Sequence, residues 1–476
     1  MNNDSKFIWL HLGASSFHRA HQSWYLNRLK EEDNEGYSWS LSLANIRKSD
    51  VSQNILRHLF QQNGIYTLEI ISPNGNIKYK KIDSIDNVIL WDKGLKKIVS
   101  EGARKETKVI SFTVTEGGYY FREDGRLDVS DPEVQADLIE NVEPTTLYGV
   151  LVRIMQVRMM SDSGPVTLLS CDNLRSNGSR FLLAFIEFVE QKKDNNLLSW
   201  IKNNISAPNS MVDRITPRFN DEIYSRLEKN SIYGDKVPVS CEEFSQWIIE
   251  DKFIAIRPNL EKVGVEFVDD VLPYEEAKIR VLNASHSCVA WTGSLLGKYY
   301  VDESLLPDVQ KWIRDYILQD VSKVLSSTNI NLDEYCEMTL KRFSNKWVRD
   351  TNQRVSSDSI AKVNEFILPT MKSLYDQGVS PTATLIFPAL YFRFMQKSVC
   401  NGLIFEYQDR ASEKVNFKEI FTSQEPLINF SKTKNLFGSL TDNPAFLDDL
   451  RNALRHVDAK LDIMREHEHK KKSQKI

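Results

Sequence analysis

The first half of the chain alternates short apolar runs with amphipathic stretches, and this order limits the folds that it can adopt. Residues 7–12 (FIWLHL) have the composition of a buried strand, and Gly13 ends that run. From Phe17 the apolar residues take helical spacing, and residues 38–44 return to a strand pattern. A strand, a helix and another strand over this length form a βαβ unit, so we predict an α/β fold built on a parallel sheet.

Two later runs extend the predicted sheet. Residues 109–115 (VISFTVT) and 166–170 (VTLLS) both have the composition of buried strands, and small or polar residues follow each one. Open α/β sheets bind ligands outside the carboxyl ends of their strands. We therefore expect cofactor and substrate contacts at these two ends, where the candidates are Thr115, Glu116, Gly117 and Asn173.

The hydrophobic pattern changes in the second half of the chain, where long helical patterns replace the alternation after residue 275. A chain of 476 residues with 41% apolar content exceeds one ordinary core, so two domains are expected. We predict an α/β domain over residues 1–274 and a mostly α-helical domain over residues 275–476, joined near Pro273. The predicted helices of the second domain are 276–296, 307–324, 362–375, 382–397 and 443–465.

Charge and cysteine usage exclude several classes of protein. The 61 basic and 65 acidic residues give a net charge of -4 and are interleaved, so we expect no nucleic-acid or membrane surface. The N-terminal segment has no apolar run near the roughly 20 residues of a membrane span, which favours a cytoplasmic protein. The five cysteines are scattered, as in a reducing compartment, and their spacing argues against a zinc site, so we expect no metal.

The turn after the first predicted strand is a candidate dinucleotide site. A glycine that ends a strand before a helix presents backbone N–H groups to a pyrophosphate, and here the segment contains Gly13, Ser15, Phe17 and Arg19. The full GxGxxG pattern is absent, because Ser15 takes the place of the second glycine. The alternative is an ordinary strand-turn-helix connection without a ligand.

The residues after the second predicted strand bear on the choice of nucleotide. An acidic residue there, such as Asp50, accepts hydrogen bonds from the ribose hydroxyls and repels a 2′-phosphate. Arg47 and Lys48 would instead attract that phosphate. The sequence therefore favours NAD while leaving NADP open, and the alternative is that all three are solvated loop charges.

The segment AKIRVLNASHS contains the most informative polar group of the chain. In an α-helix at about 100° per residue, Glu275, His286 and Asn283 lie about 60°, 80° and 140° from Lys278, all on one face. Apolar neighbours surround them in the sequence, so we expect the strip to line an interior cleft. The alternative is a hydrogen-bonded strip within the core.

These residue types suit the oxidation of an alcohol. Hydride leaves the carbinol carbon only as the hydroxyl proton departs, so the site needs a base and a donor for the developing alkoxide. A free lysine has a pKa of about 10.4, which burial can lower to roughly 7–8. We therefore interpret Lys278 as the base and the amides of Asn283 and Asn173 as oxyanion donors.

Five motifs in chain order strengthen this interpretation: GASSFHRAHQ, TVTEGGYY, SCDNLRSNG, NSMVDRITPR and KIRVLNASHS. Together they resemble the polyol-specific long-chain dehydrogenases, a family that includes mannitol 2-dehydrogenase and the fructuronate and tagaturonate reductases. The KxxxxNxxH spacing and the VDRITP block carry most of the resemblance. It implies a Rossmann-type N-terminal domain, a helical C-terminal domain, NAD as cofactor, no metal and a monomer.

The resemblance also implies a role for each matching residue. Lys278 resembles the general base, and Asn173 and Asn283 resemble the oxyanion donors. His286 resembles a partner of a substrate hydroxyl. The remaining implied roles are substrate contact or tuning of the lysine for Asp213, proton relay for Glu275, and orientation of the substrate for Arg354 and Lys362.

The implied reaction is NAD-dependent oxidation of a polyol to a ketose. Among the members of the family, the chain is most similar to those that oxidise D-arabinitol to D-xylulose, partly through RDTNQRV at residues 349–355. The alternatives are mannitol oxidation or hexuronate reduction by the same chemistry. A more distant alternative is a nucleotide-binding sensor without catalysis.

Overall fold

The computed structural model describes residues 6–122, 124–140, 142–217, 219, 221–325, 330–409 and 411–473. The chain divides into two compact units, with the boundary after Leu272. The first unit contains the residues before that boundary except Ser72–Asn76, which belong to the second unit. Within the described residues, no helix has both the length and the apolar character that a membrane crossing requires.

A parallel six-stranded sheet forms the centre of the first unit, in the order β5-β2-β1-β6-β7-β8. From β1 the chain adds β2 and β5 on one side of the sheet, and it then crosses over to add β6, β7 and β8 on the other side. Such a change of side between β1 and β6 leaves a crevice outside their carboxyl ends. The α/β prediction is confirmed. The strands of this sheet are β1 (Phe7–Leu12), β2 (Trp39–Ala44), β5 (Ile85–Ile89), β6 (Thr107–Phe112), β7 (Val166–Ser170) and β8 (Ile205–Ser206).

The other strands that the described residues of the first unit form lie in two three-stranded sheets, with the orders β10-β3-β4 and β12-β11-β9. Each contains one parallel and one antiparallel pair. Their strands are β3 (Tyr66–Ile71), β4 (Ile77–Ile82), β9 (Ser210–Asp213), β10 (Val239–Glu242), β11 (Gln246–Glu250) and β12 (Glu266–Val268).

Side chains of the central sheet alternate between two apolar cores. In β1, Leu10 and Leu12 pack into one core, whereas Trp9 packs into the other. Both faces are buried, as expected for a parallel sheet covered by helices. The helices of this unit are α1 (Ser16–Ala20), α2 (Gln22–Glu32), α3 (Asp50–Gln61), α4 (Lys96–Ala103), α5 (Pro132–Leu138), α6 (Leu147–Met160), α7 (Asn177–Gln191), α8 (Asn195–Asn204) and α9 (Glu222–Lys229).

The second unit is helical, as predicted, and its described residues contain no strand beyond an isolated bridge between Tyr300 and Thr351. One continuous apolar core holds its helices together. They are α10 (Leu272–Ala277), α11 (Ala284–Leu295), α12 (Val301–Ser304), α13 (Pro307–Asp315), α14 (Ser322–Val324), α15 (Leu332–Phe343), α16 (Asn352–Ser356), α17 (Ser359–Lys362), α18 (Leu368–Asp376), α19 (Ile386–Val399), α20 (Phe417–Thr422), α21 (Pro426–Ser431), α22 (Lys434–Phe437) and α23 (Phe446–Ser473).

Three stretches of the described helices in this unit are π-helical: π1 (Lys278–Asn283), π2 (Tyr316–Val321) and π3 (Val363–Ile367). π1 packs against both of the others. Hydrogen bonds of a π-helix join residues five apart rather than four. The expectation of α-helical spacing from Lys278 to Asn283 is therefore wrong. These two residues are five apart, so the angle between them around the helix axis is smaller than the roughly 140° of α-helical spacing.

Candidate functional site

A crevice of about 210 Å³ lies at the carboxyl ends of β1, β2 and β6. Backbone of the turn after β1 forms one wall, and the residues after β2 and β6 form others. This is the position at which open α/β sheets bind dinucleotides. Residues that line it include Gly13, Asn45, Arg47, Thr113, Thr115 and Gly118.

Gly13 occupies a position that only glycine suits. Its φ is +127°, and a Cβ there would lie 2.4 Å from the carbonyl oxygen of Thr113 and 2.6 Å from its Oγ1. The Gly13 N–H donates to the carbonyl of Ala44 at 2.8 Å. The turn therefore stays tight and leaves backbone, rather than a side chain, at the crevice, as contact with a pyrophosphate requires.

Ser15 and Phe17 shape the start of α1. The Ser15 hydroxyl accepts a hydrogen bond from the backbone N–H of His18 at 3.0 Å and so caps the helix. It also lies 3.4 Å from the Thr113 hydroxyl. The Phe17 ring stacks on His21 at 4.9 Å. The serine that breaks the GxG pattern thus acts as a helix cap beside the crevice.

Two predicted cofactor residues lie elsewhere. Arg19 is buried, donates through Nη1 to the carbonyl of Val237, and lies over the Tyr66 ring. This contact network gives it a packing role within the first unit. Asp50 is 99% exposed and lies 3.9 Å from Arg57, whereas Arg47 lines the crevice. The geometry does not bring Arg19 or Asp50 to the crevice.

Asp172 holds the turn that follows β6. Its carboxylate accepts hydrogen bonds from the backbone N–H groups of Val114 at 2.9 Å and Thr115 at 3.1 Å, and from the Tyr119 hydroxyl at 2.7 Å. Burial raises the pKa of Asp172 above its usual value, and the hydrogen bonds from these donors offset only part of that rise. Glu116 is exposed on the same turn, next to exposed Gly117. The sequence analysis missed Asp172, although it stands directly before the predicted Asn173.

Asn173 lies exposed just past the carboxyl end of β7. The buried Asn177 amide shapes the turn by donating to the carbonyls of Asp172 at 3.0 Å and Ser210 at 2.8 Å. Asp213 is the last residue of β9 and is buried. The same connection thus fixes the backbone next to Asn173 and joins β7 to the strand that carries Asp213.

In the second unit, the predicted base is a buried residue. Lys278 is 5% exposed and begins π1, and Asn283 ends it. Glu275 is also buried, one helical turn earlier in α10. The π segment therefore carries both the amine and the amide that the sequence pattern associates with proton removal and alkoxide stabilisation.

A second cluster surrounds Asp350, which the sequence analysis missed. The Asp350 carboxylate binds Arg354 through Nε at 2.6 Å and through Nη2, and lies 3.5 Å from Nε2 of His286. Lys362 donates to the carbonyl of Val355, one residue beyond Arg354. Three predicted residues therefore meet here. Asp350 stands four residues before Arg354, a helical ion-pair spacing that offered a sequence signal.

The charges of this cluster are set by burial and by one ion pair. Burial lowers the pKa of His286 to about 3, against the opposing effect of Asp350. Burial alone would raise the pKa of Asp350, but Arg354 holds it below its usual value. Burial, assisted by Arg354, lowers the pKa of Lys362 to about 8. At neutral pH the imidazole is therefore neutral and the carboxylate is charged.

No group of three or more His, Cys, Asp or Glu side chains within the described ranges is placed to hold a metal ion. The candidate residues offer amides, an imidazole, amines, a guanidinium and the separate carboxylates of Asp213 and Glu275. These groups bind hydroxyl oxygens through hydrogen bonds.

Comparison with known proteins identifies the family of the chain. Residues 8–262 match the Rossmann domain of mannitol dehydrogenase, and residues 270–458 match the mannitol dehydrogenase C-terminal domain. A D-arabinitol 4-dehydrogenase from Klebsiella pneumoniae is 45% identical over 96% of this chain and 99% of its own length. Another from Ralstonia nicotianae is 41% identical over 95% of this chain and 97% of its own length.

Solved structures give the same result. Mannitol 2-dehydrogenase from Pseudomonas fluorescens, in a ternary complex with NAD and D-mannitol, superposes with a TM-score of 0.83 and 31% identity over 98% of this chain and 95% of its own. A substrate-free D-sorbitol dehydrogenase gives 0.84 and 27% over 95% and 93%. The chain therefore belongs to the mannitol dehydrogenase family, the NAD-dependent dehydrogenases that act on the CH–OH groups of polyols.

Proposed function

We propose that this enzyme oxidises D-arabinitol to D-xylulose and catalyses the reverse reduction when NADH is plentiful. The observation that carries the substrate is the 45% identity, over nearly the full length, to a relative named D-arabinitol 4-dehydrogenase. Relatives named mannitol 2-dehydrogenase share 32% over a similar part of the chain.

The crevice of the first unit is the proposed cofactor site. Gly13, Ser15 and Thr115 would hold the dinucleotide along the ends of β1 and β6, with Phe17, Glu116 and Gly117 nearby. NAD, when bound, accepts the hydride from the substrate. We retain Arg19 and Asp50 only as residues that act through the fold, since their side chains are directed elsewhere.

Lys278 is the proposed general base. A neutral amine at Nζ takes the hydroxyl proton as the hydride leaves the carbinol carbon, and burial favours the neutral form of an amine. Glu275 would then relay that proton towards water. Asn283 and Asn173 would donate N–H groups to the oxygen, which stabilises its negative charge without adding another buried charge.

The remaining predicted residues are proposed to hold the rest of the substrate. His286, Arg354, Lys362 and Asp213 would bind hydroxyl groups away from the reacting carbon. Residues 1–274 would thus serve mainly the cofactor and residues 275–476 mainly the substrate. We further propose a metal-independent, monomeric enzyme in the cytoplasm.

The Arg354–Asp350 ion pair favours a neutral substrate. Reduction of a hexuronate would require a cation for the substrate carboxylate, but the Arg354 guanidinium already has two contacts to Asp350, and Nζ of Lys362 donates to the carbonyl of Val355. A non-catalytic sensor is disfavoured because every residue that the chemistry needs is present in the sequence.

A substrate panel tests the proposal. Rates of NADH formation with D-arabinitol, D-mannitol and xylitol, and of NADH oxidation with D-fructuronate, are compared at saturating cofactor. The highest kcat/KM is expected for D-arabinitol, with D-xylulose as the product identified by chromatography. A higher value for mannitol or fructuronate would reject the proposed substrate, and NADH binding without any turnover would indicate the sensor.

A further inference from the structure

Asp350 lies between two residues of the candidate substrate site and contacts both. It is 8% exposed, binds Arg354 through two nitrogens, and faces Nε2 of His286 at 3.5 Å. Its Oδ1 also accepts the backbone N–H of Thr351 at 3.0 Å. Among the described residues, Nε2 of His286 has no hydrogen-bond partner, so the carboxylate is bonded twice to the guanidinium and lies in electrostatic contact with the imidazole.

The chemistry of a carboxylate decides how the imidazole is protonated. An ionised carboxylate repels the lone pair of a ring nitrogen and attracts its N–H, so we expect the ring nitrogen that lies 3.5 Å from it to carry the proton. In a neutral His286 this makes Nε2 the donor and Nδ1 the acceptor. The ring also stacks on Phe343 at 4.6 Å, which restrains its orientation.

Arg354 complements the imidazole acceptor, because a guanidinium only donates hydrogen bonds. Two of its five N–H donors bind Asp350, and the guanidinium has no acceptor of its own. Its remaining donors therefore suit an oxygen acceptor. Because the carboxylate balances the guanidinium charge, the three side chains together offer one acceptor and one donor group with no net charge.

The backbone at Asp350 is fixed to the segment that follows α11, the helix of His286. The Val301 N–H donates to the Asp350 carbonyl at 3.0 Å. The neighbouring Asn352 amide donates to the carbonyl of Lys298 at 3.1 Å and to the Ser304 hydroxyl at 2.8 Å. These bonds hold the backbone that carries the Asp350 carboxylate against the segment that follows the helix of His286.

We infer that Asp350 is a positioning residue that fixes His286 as a hydrogen-bond acceptor and Arg354 as a donor for two hydroxyl groups of one neutral sugar alcohol. This inference rests on the proposed function. A hydroxyl both donates and accepts, so one hydroxyl satisfies the imidazole nitrogen and another satisfies the guanidinium. A substrate carboxylate placed at the imidazole would find an acceptor where it needs a donor.

The first test observes the imidazole directly. Full-length protein labelled with ¹⁵N-histidine gives long-range ¹H–¹⁵N NMR correlations that distinguish the two neutral tautomers, and the His286 signal is assigned by its loss in His286→Gln. The wild type is expected to hold the Nε2–H form, and Asp350→Asn to lose that preference. A wild type with the proton on Nδ1 would overturn the inference, whatever Asp350→Asn does to folding.

The second test measures recognition. Asp350→Asn should lower kcat/KM for the preferred polyol by about 10–100-fold, mainly through KM, which is the range found when the outer partner of a metal-bound histidine is removed. Removing one hydroxyl from the substrate should then lower kcat/KM by a smaller factor in Asp350→Asn than in the wild type. Asp350→Glu, which keeps the charge, should recover part of the loss.

Asp320→Asn is the matched control, because Asp320 is another buried acid of this unit and accepts from the Thr384 N–H and hydroxyl. It should lower the unfolding temperature but leave the tautomer and the deoxy-substrate penalty unchanged. Equal effects of both variants, or a kcat/KM within twofold of wild type for Asp350→Asn, would reject the positioning role. A wild type that turns over no polyol, yet holds the Nε2–H form, would reject the proposed function instead.

Discussion

The carboxylate of Asp172 accepts a hydrogen bond from the backbone N–H of Thr115 at 3.1 Å, and Thr115 adopts φ +63° and ψ 166°. A residue other than glycine in this region costs roughly 1–3 kcal/mol, so its surroundings must impose the conformation. The bonds from Thr115 and Val114 to one carboxylate supply that restraint. The strained turn lies at the crevice where NAD is proposed to bind.

Asp172→Asn should weaken NAD binding, because the amide nitrogen cannot accept from these backbone donors. Loss of one or two charge-assisted hydrogen bonds, at about 1.5–3 kcal/mol each, predicts a rise of at least about tenfold in the dissociation constant for NAD. Titration calorimetry measures it. Asp194→Ala removes the side-chain cap of α8, where Asp194 accepts from the Leu197 N–H, and should lower stability while leaving NAD affinity unchanged. Similar affinities for wild type and Asp172→Asn would contradict the prediction.

Gly13→Ala should damage the crevice more than the small added volume suggests. The new methyl group would lie 2.4 Å from the Thr113 carbonyl, and the φ of +127° is strained for alanine. We expect a lower unfolding temperature of the first unit and loss of NADH binding, measured by calorimetry and by fluorescence. Gly402→Ala serves as the control, since its nearest neighbour is the flexible Lys397 side chain at 3.0 Å. Normal NADH affinity in Gly13→Ala would show that the turn tolerates a side chain.

Lys278→Ala should abolish turnover without abolishing cofactor binding. Loss of a general base typically costs about 10²–10⁴-fold in rate, so kcat at saturating NAD and polyol should fall within that range. NADH binding, measured by fluorescence, should persist because the crevice lies in the other unit's sheet. Lys397→Met replaces a lysine that donates to the carbonyl of Leu295 and should retain turnover. Comparable kcat values for Lys278→Ala and wild type at neutral pH would eliminate the lysine as base.

Lys362 should make stability depend on pH in a defined window. Burial, with Arg354 nearby, lowers its pKa from 10.5 to about 8, so the unfolded chain binds the proton more tightly than the folded one. The buried ammonium of this lysine therefore destabilises the fold fully below about pH 8. This destabilisation decreases as the pH rises from about 8 to 10.5. Lys362→Met should raise the unfolding temperature at pH 7, and this gain should shrink by pH 10.

Calorimetric scans at both pH values measure the effect. Lys341→Met replaces an exposed lysine of α15 and should give the same small change at each pH. A gain for Lys362→Met that is equal at pH 7 and pH 10 would show that the ammonium is not destabilised by burial. Activity in Lys362→Met is a separate measurement, because this residue is also proposed to bind substrate.

The strands were predictable where local composition determines them. β1 and β7 match the predicted residues 7–12 and 166–170, because each is an apolar run with a turn signal at its end. The predicted strand 109–115 instead forms as Thr107–Phe112. Its last residues leave the sheet to bind Asp172, and no local pattern reveals a partner that lies more than fifty residues away in sequence.

The same limit applies to the candidate site residues. Arg19 resembled a cofactor residue because it stands beside the glycine turn, but its guanidinium pairs with Val237, 218 residues further along the chain. The helix over residues 307–324 was predicted with its full length. Its π segment was not predicted, because apolar spacing alone does not distinguish hydrogen bonds four residues apart from bonds five apart.

The π segment that begins at Lys278 has a consequence for how this family diverges. A short π segment is an α-helix that has taken up one inserted residue. Deleting a single residue from this stretch would therefore restore α-helical hydrogen bonds and leave the flanking helices α10 and α11 in register with each other. The lysine and the asparagine would then stand four residues apart, about 40° from each other around the helix, so a natural relative shortened by one residue here can keep both groups on one face.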